Sequence, residues 1–329
     1  MSTLTKVDVA IVGMGAMGSA AFYHLAQRGM SVLGIEQFEL GHGRGSSHGE
    51  TRVIRTAYHE HPDYVPLLQR AIPLWKDLER EAEEDLYAPV GCLEVGPPDG
   101  EVIQGVLESA QTHGLSVEQL SAAQVEERFD GFRVPDGMTG TFETQGGVLR
   151  VEDCIRAHGR LGQRHGGALW SQTRVSHVRE SSHGVTVQTD RGSVEAGAVL
   201  VSPGAWAADF FPQWSRPLEI RRKPLLWFAA KSGAYSRDSG SPVFLYQVPE
   251  GLIYGFPAME DGVVKVALHS GGESYDRPED LVREIQESDT DVLREFVRKW
   301  MPLVDAETVI RGDVCMYTCL LYTSPSPRD

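Results

Sequence analysis

The chain opens on apolar positions at 7, 9, 11 and 12 (Val7, Val9, Ile11, Val12), a pattern that predicts a strand running into Gly13. Behind it Met17, Ala20, Ala21 and Leu25 recur at helical spacing, and Gly29 supplies a C-terminal stop. VLGIE then predicts a second buried strand ending at Glu36. Residues 41–55 (GHGRGSSHGETRVIR) are too polar for a core strand and too glycine-rich for a helix, so they read as a loop. Residues 63–82 read as a helix with Val65, Leu68, Ile72, Trp75 and Leu78 on one stripe and with Pro66 and Pro73 as kink points. The pattern then shortens to a strand near GCLEV, helices at 102–112 and 122–129 (capped by Ser121) and the run GTFETQGGVL. Helix returns at 151–164, strand at ALW (168–170), a hairpin at 185–196 and a buried strand in AVLVSPGAW (198–206) that ends at Gly204. From 217 to about 310 the chain reads as strands with one helix, 280–299.

Within that last stretch, GVVKVALHS alternates with strand period. Val264, Val266 and Leu268 fall on a core face, and Lys265, Ala267 and His269 fall on the other. Lys265 and His269 are then about 13 Å apart, so they can flank a flat ring but cannot share a metal. Tyr254, in LIYGFP, is expected on a neighbouring strand lining the same cavity.

The opening segment carries chemistry. Gly13, Gly15 and Gly18 are spaced as GxGxxG between a strand and a helix. The first allows a tight turn, the second lets backbone approach a pyrophosphate, and the third lets helix and strand pack closely. The helix N-terminus points at the phosphate site, so Ala16 and Met17 join the cofactor-binding residues. Glu36 is placed to accept hydrogen bonds from ribose hydroxyls, and its charge would repel a 2′-phosphate. FAD and NAD fit; NADP does not. Gly204 offers a second backbone approach to the same dinucleotide.

Composition narrows the class. The chain has 329 residues, room for two domains, and a formal charge of −15 with only 31 Lys and Arg, which argues against nucleic acid and anionic membranes as partners. No signal-peptide order or membrane-spanning apolar run is present, and four scattered cysteines fit a reducing cytoplasm. No metal site is expected. In this acidic chain His48, Thr51, Arg52 and Arg55 concentrate positive charge in ten residues. A guanidinium fork there binds carboxylate or phosphate, although pairing with Glu50 or Glu60 in a solvated loop would serve equally. Cys315, between apolar residues and near Tyr317, reads on its own as a buried structural thiol.

Together GMGAMG, Glu36, GSSHGETRVIRTAY, PGAW, IYGFP, KVALH and VCMYT resemble the monomeric sarcosine oxidase and N-methyltryptophan oxidase family of flavoenzymes, in order from about residue 7 to Thr318. The resemblance selects FAD over NAD. It implies an α/β fold, α+β overall, with a Rossmann-like FAD-binding domain of glutathione-reductase type (1–86, 150–215 and 311–318). An interleaved substrate domain is built on an antiparallel sheet (87–149 and 216–310). By resemblance Cys315 holds the flavin through a thioether to its 8α carbon, Lys265 is the site of oxygen activation, and Arg52 lies against the flavin. Arg55 clamps the substrate carboxylate, Tyr254, His269 and Tyr317 line the substrate side, and His48, Thr51, Val175 and Met316 support the cofactor. The implied reaction oxidises the N-methyl group of an amino acid such as sarcosine with O2, giving the demethylated amino acid, formaldehyde and hydrogen peroxide, in a monomer.

The family pattern would continue past VCMYT to a GFSGHGFKF-like stretch whose lysine partners Arg55. Here residues 319–329 read CLLYTSPSPRD, expected as a non-native tail without strand or helix pattern, which would leave an exposed edge and an inactive fragment. The remaining alternatives are another flavin amino acid oxidase or dehydrogenase (glycine, pipecolate or D-amino acid) and an NAD-dependent dehydrogenase.

Overall fold

The computed structural model describes residues 5–182, 184–214 and 218–320; residues 1–4, the expected boundary at 215/216 and residues 321–329 of the expected tail lie outside the described residues. The first strand, Thr5–Val12, lies inside the sheet; Lys6 and Asp8 are exposed at its start, and its apolar end, Ala10–Val12, is buried. It pairs in parallel with Val32–Ile35 on one side and Ser193–Val201 on the other. Strands Ala168–Trp170, Gly184–Thr189 and Val175–Ser181 complete a six-stranded sheet. Helix Ala16–Gln27 is the crossover between the first two strands. It packs against helix Val151–Arg164 closely enough that Phe22 fills the space a side chain on Gly162 would need.

The buried face of the first helix differs from the expected stripe. Gly18, Ser19, Phe22, Tyr23 and Ala26 are buried, and Met17 is 79% exposed. Two apolar stripes one residue apart compete here, and the one carrying the larger rings, Phe22 and Tyr23, buries more area. That leaves Met17 on the open side of the first turn.

The second sheet is larger and mostly antiparallel. Its order is Ser274–Tyr275, Leu218–Ala230, Val263–Leu268, Gly251–Gly255, Val243–Val248, Cys92–Gly96, Thr139–Glu143 and Glu118–Ser121, with Val304–Leu320 paired to Leu218–Ala230. Strand alternation splits it into two chemical faces. Leu93, Val95, Leu226, Phe228, Phe244, Tyr246, Ile253, Val264 and Val266 pack under helix Glu287–Trp300 as the main core. The other face carries a single rung across six strands, Glu94, Leu245, Tyr254, Ala267, Leu225 and Asp313. Lys265, Cys315 and Tyr317 share that face. Phe228, at an even position, belongs to the core, whereas Trp227 faces Lys265.

Four expectations need correction. Residues 311–318, assigned to the FAD-binding unit, run without a break in the strand Val304–Leu320 of the second sheet. Cys319 and Leu320, assigned to the tail, end that strand opposite Glu219 and Leu218, where main-chain pairing overrides their lack of a pattern. The 41–55 segment contains a strand, Thr51–Ile54, paired with Gly147–Arg150 in a three-stranded sheet with Tyr87–Ala88; Thr51 and Ile54 are buried while Arg52 stays half-buried over a cavity. The helix expected at 280–299 begins at Glu287, where Gln286 and Asp289 form a capping box. Buried Arg222 holds the preceding loop extended by donating to Val282 O at 2.7 Å and Glu284 O at 2.6 Å, while its fork grips Asp289. No helix among the described residues is long and apolar enough to cross a membrane.

Candidate active site

A cavity of about 520 Å³ lies over the C-terminal ends of the parallel strands, the position where open α/β sheets take nucleotides. Its wall includes Gly13, Gly15, Ala16, Met17, Glu36, Val175 and Gly204, seven of the predicted cofactor residues. The three glycines do different work. Gly13 has φ +87°, and a Cβ there would sit 2.4 Å from Ser202 O. A Cβ on Gly18 would sit 1.8 Å from Gly13 O, so this glycine serves packing and is absent from the cavity wall. A Cβ on Gly15 would meet nothing nearer than Ser47 Oγ at 3.8 Å; it would project into open space. Gly15 has no side chain to cap the helix that starts there, and among the described residues the only side chain that reaches its first amide is Ser47, whose Oγ accepts from Ala16 N at a long 3.4 Å, so an anion can compete for this turn.

Glu36 is 4% exposed. Its Oε2 accepts from Met14 N at 2.8 Å, its Oε1 accepts from Phe38 N at 3.0 Å, and His42 Nε2 is 3.4 Å away. Burial alone would push its pKa up. The contacts from His42, Met14 and Phe38 outweigh that and hold it below the usual carboxylate range, so the side chain is an anion. A helix N-terminus without an N-cap side chain and a buried carboxylate in the wall of the same cavity fit an adenine dinucleotide such as FAD.

A second cavity, about 180 Å³, lies on the chemical face of the large sheet. Tyr317 belongs to both walls. Arg52, Arg55, Tyr254, His269 and Cys315 line it with Tyr58, His59, Glu60, Glu94, Phe244 and Leu245. Of the seven residues expected on the substrate side or at the flavin ring, all but Lys265 converge here. Burial raises the phenol pKa values of Tyr254 and Tyr317, which keeps both as neutral donors. His269 Nδ1 is 3.2 Å from the Tyr317 hydroxyl.

Cys315 is 1% exposed but not inert. Its Sγ lies 3.4 Å from Arg52 Nη2, and buried His48 stands beside it with Nδ1 3.1 Å from Asp313 Oδ2. Burial works against the thiolate; His48 and Arg52 more than compensate, and the thiol pKa falls below its ordinary value. Burial likewise opposes charge on His48, yet Asp313 and Cys315 raise its pKa to about 9. His48 favours the thiolate both as a hydrogen-bonding neighbour of the sulfur and through its charge. Met316 points to the opposite face, into an apolar cluster with Ile220, Leu281 and Val314, and its side chain reaches neither cavity.

Lys265 is 3% exposed, with Nζ donating to Gly49 O at 2.5 Å and to Thr51 Oγ1 at 3.0 Å. The rings of Phe256 and Trp227 lie 4.7 and 5.4 Å from the ammonium. Burial, with a contribution from the Arg52 charge, brings its pKa down to about 7. Beside it is a void of about 10 Å³, about the space one water occupies. Thr51, expected to support the cofactor, is here the lysine's partner.

Several residues of this site were not anticipated: Asp313 behind His48, Glu152, which accepts from Gly49 N at 2.7 Å, and Glu94 and His59 against Arg55. Glu94 carried a visible signal, a charge in the middle of the apolar strand GCLEV. The others depend on partners more than a hundred residues away or on loop geometry. Among the described residues no group of His, Cys, Asp and Glu is arranged to hold a metal ion.

The sequence matches the family described as FAD dependent oxidoreductase over residues 8–327, which includes most of the segment set apart as a tail. It is 36% identical to monomeric sarcosine oxidase of Bacillus sp. (strain B-0618), over 95% of this chain and 81% of that protein. It is 38% identical to N-methyl-L-tryptophan oxidase of Salmonella dublin, over 84% of this chain and 73% of that one. The fold superposes with a TM-score of 0.84 on a Tyr258Phe mutant of NikD, an unusual amino acid oxidase, at 25% identity and covering 95% of this chain and 81% of that chain.

Proposed function

The chain belongs to the FAD dependent oxidoreductase family, and from that premise we propose that it oxidises the N-methyl group of a small secondary amino acid, with O2 as the electron acceptor. The observation that carries this reading is the pair of cavities meeting at Tyr317, one built for a dinucleotide and one lined by donors, rings and a poised thiol. FAD, when bound, supplies the redox chemistry: it takes a hydride equivalent from the methyl carbon and passes two electrons to O2. The protein holds and orients. Gly15 and the helix N-terminus would take the pyrophosphate, Glu36 the ribose, and Cys315 the flavin through a thioether at its 8α carbon. Arg55 would receive the substrate carboxylate, and Tyr254, Tyr317 and His269 would position the amine. Lys265, a buried cation, would stabilise negative charge as it develops on oxygen. The oxidised product is an imine; its hydrolysis gives formaldehyde and the demethylated amino acid, while O2 leaves as hydrogen peroxide.

The amine cavity is smaller than the roughly 300–1,000 Å³ of sites for drug-sized ligands, which favours a substrate of sarcosine size over N-methyltryptophan. That a relative is named a monomeric enzyme supports a single-chain active unit. In air, sarcosine should release peroxide and formaldehyde in equal amounts, and the acid-precipitated protein should stay yellow. Cys315→Ser should leave the flavin in the acid supernatant. Wild-type flavin that extracts fully into acid refutes the tether, and reduction by sarcosine without peroxide points instead to a dehydrogenase.

A further inference from the structure

Arg55 is surrounded by more negative charge than it can balance. Its Nη2 donates to Glu60 Oε2 at 2.8 Å and contacts His59 Nδ1 at 3.2 Å, and its Nε lies 3.4 Å from Glu94 Oε1. Two carboxylates thus share one guanidinium and the His59 ring, whose Nδ1 lies 3.6 Å from Glu60 Oε2 and 3.3 Å from Glu94 Oε1, in a cavity where Arg52 is committed to the Ser46 and Thr51 carbonyls and the Cys315 sulfur. Glu94 is 3% exposed. Its Oε1 takes both of its contacts, to Arg55 and to His59, and its Oε2 makes no hydrogen bond among the described residues. The same is true of Arg55 Nη1. A ligand filling the cavity would take solvent from both atoms, and a carboxylate oxygen then left without a donor is costly against the apolar wall of Phe244, Leu245 and Leu252. The cavity therefore offers a ligand one unpaired donor edge and one unpaired acceptor side by side.

We propose that Glu94 is a specificity determinant, accepting a hydrogen-bond donor, preferentially an ammonium, on the side chain of an amino acid whose carboxylate sits on Arg55 Nη1. The substrate class is then an N-methyl amino acid with a short donor-bearing side chain. This rests on the amine-oxidase reading for the reaction, though the binding half does not. The sheet gives the geometry: Glu94 stands on the same rung as Tyr254, two strands away, so it meets the part of the substrate beyond the reacting amine. An apolar side chain of equal size would leave Oε2 unpaired and be rejected for that reason.

The test uses a pair of equal shape, 2,3-diaminopropionate and 2-aminobutyrate, which differ by an ammonium in place of a methyl group. Their binding to the flavin-loaded protein is measured by calorimetry, and their N-methyl derivatives are assayed for peroxide. Wild type should bind the diamino acid at least about tenfold more tightly, as expected for a hydrogen bond to a charged group, and Glu94→Gln should erase the difference while leaving 2-aminobutyrate within about threefold. Equal binding in the wild type, a preference that survives Glu94→Gln, or equal weakening of both ligands would overturn the assignment. The last outcome would make Glu94 a support for Arg55 only. A binding preference without peroxide from either N-methyl compound would retain Glu94 and remove the reaction.

Discussion

Replacing Lys265 with methionine is expected to slow the reaction with O2 by about 10²–10³-fold, the usual cost of removing one preorganised charge from a water-excluded site. The lysine is a fixed, buried cation, held by Gly49 O and Thr51 Oγ1 beside a small void. It does not line the amine cavity, so the rate of substrate oxidation without oxygen should change far less. The pH dependence has a definite sign. Below a pKa of about 7 the side chain is an ammonium and the oxygen reaction is fast; as pH rises through that value the charge is lost and the rate should fall. Methionine should flatten the profile. Stopped-flow mixing of reduced enzyme with oxygen over a pH series reads both effects, and a wild-type rate that climbs through pH 7 would contradict the assigned role.

Substitutions at the glycines should separate ligand contact from packing. Gly15→Ala adds a methyl group where nothing stands within 3.8 Å and where φ is −68°, an ordinary value for alanine. The apo fold should therefore melt within a degree or two of wild type, while FAD retention falls by an order of magnitude or more because the methyl group occupies the pyrophosphate approach. Gly18→Ala places its methyl group 1.8 Å from Gly13 O, so strand and helix must separate. That should cost about 3 kcal/mol or more and lower the melting temperature before any ligand is added. Thermal melts of apo protein with flavin content decide the matter. Gly15→Ala protein that retains flavin normally would remove the dinucleotide reading of the first cavity.

Local signals made much of this architecture legible. Strand, glycine turn, helix and acid follow one another within thirty residues, and the Lys265 strand alternates so regularly that its core and chemical faces were separable by counting. Pairing between distant segments was not legible. Thr51–Ile54 looked like a loop because its strand character comes from Gly147–Arg150, nearly a hundred residues on. The 311–318 segment was placed with the wrong sheet because a motif says what a residue binds and not which strand it pairs with. The Cys315 thiol read as inert until His48 and Arg52, from one segment more than two hundred and fifty residues upstream, were brought around it with its near neighbour Asp313 behind His48. Met17 was misplaced by a single position, the error that two adjacent apolar stripes invite.

The most direct test is anaerobic titration of the purified, flavin-loaded chain with sarcosine, followed by admission of air. The account predicts that the visible flavin band bleaches with the amine and returns in air with one peroxide released per flavin. A band that sarcosine and other N-methyl amino acids leave unchanged, in protein whose flavin is fully reducible by dithionite, would contradict it.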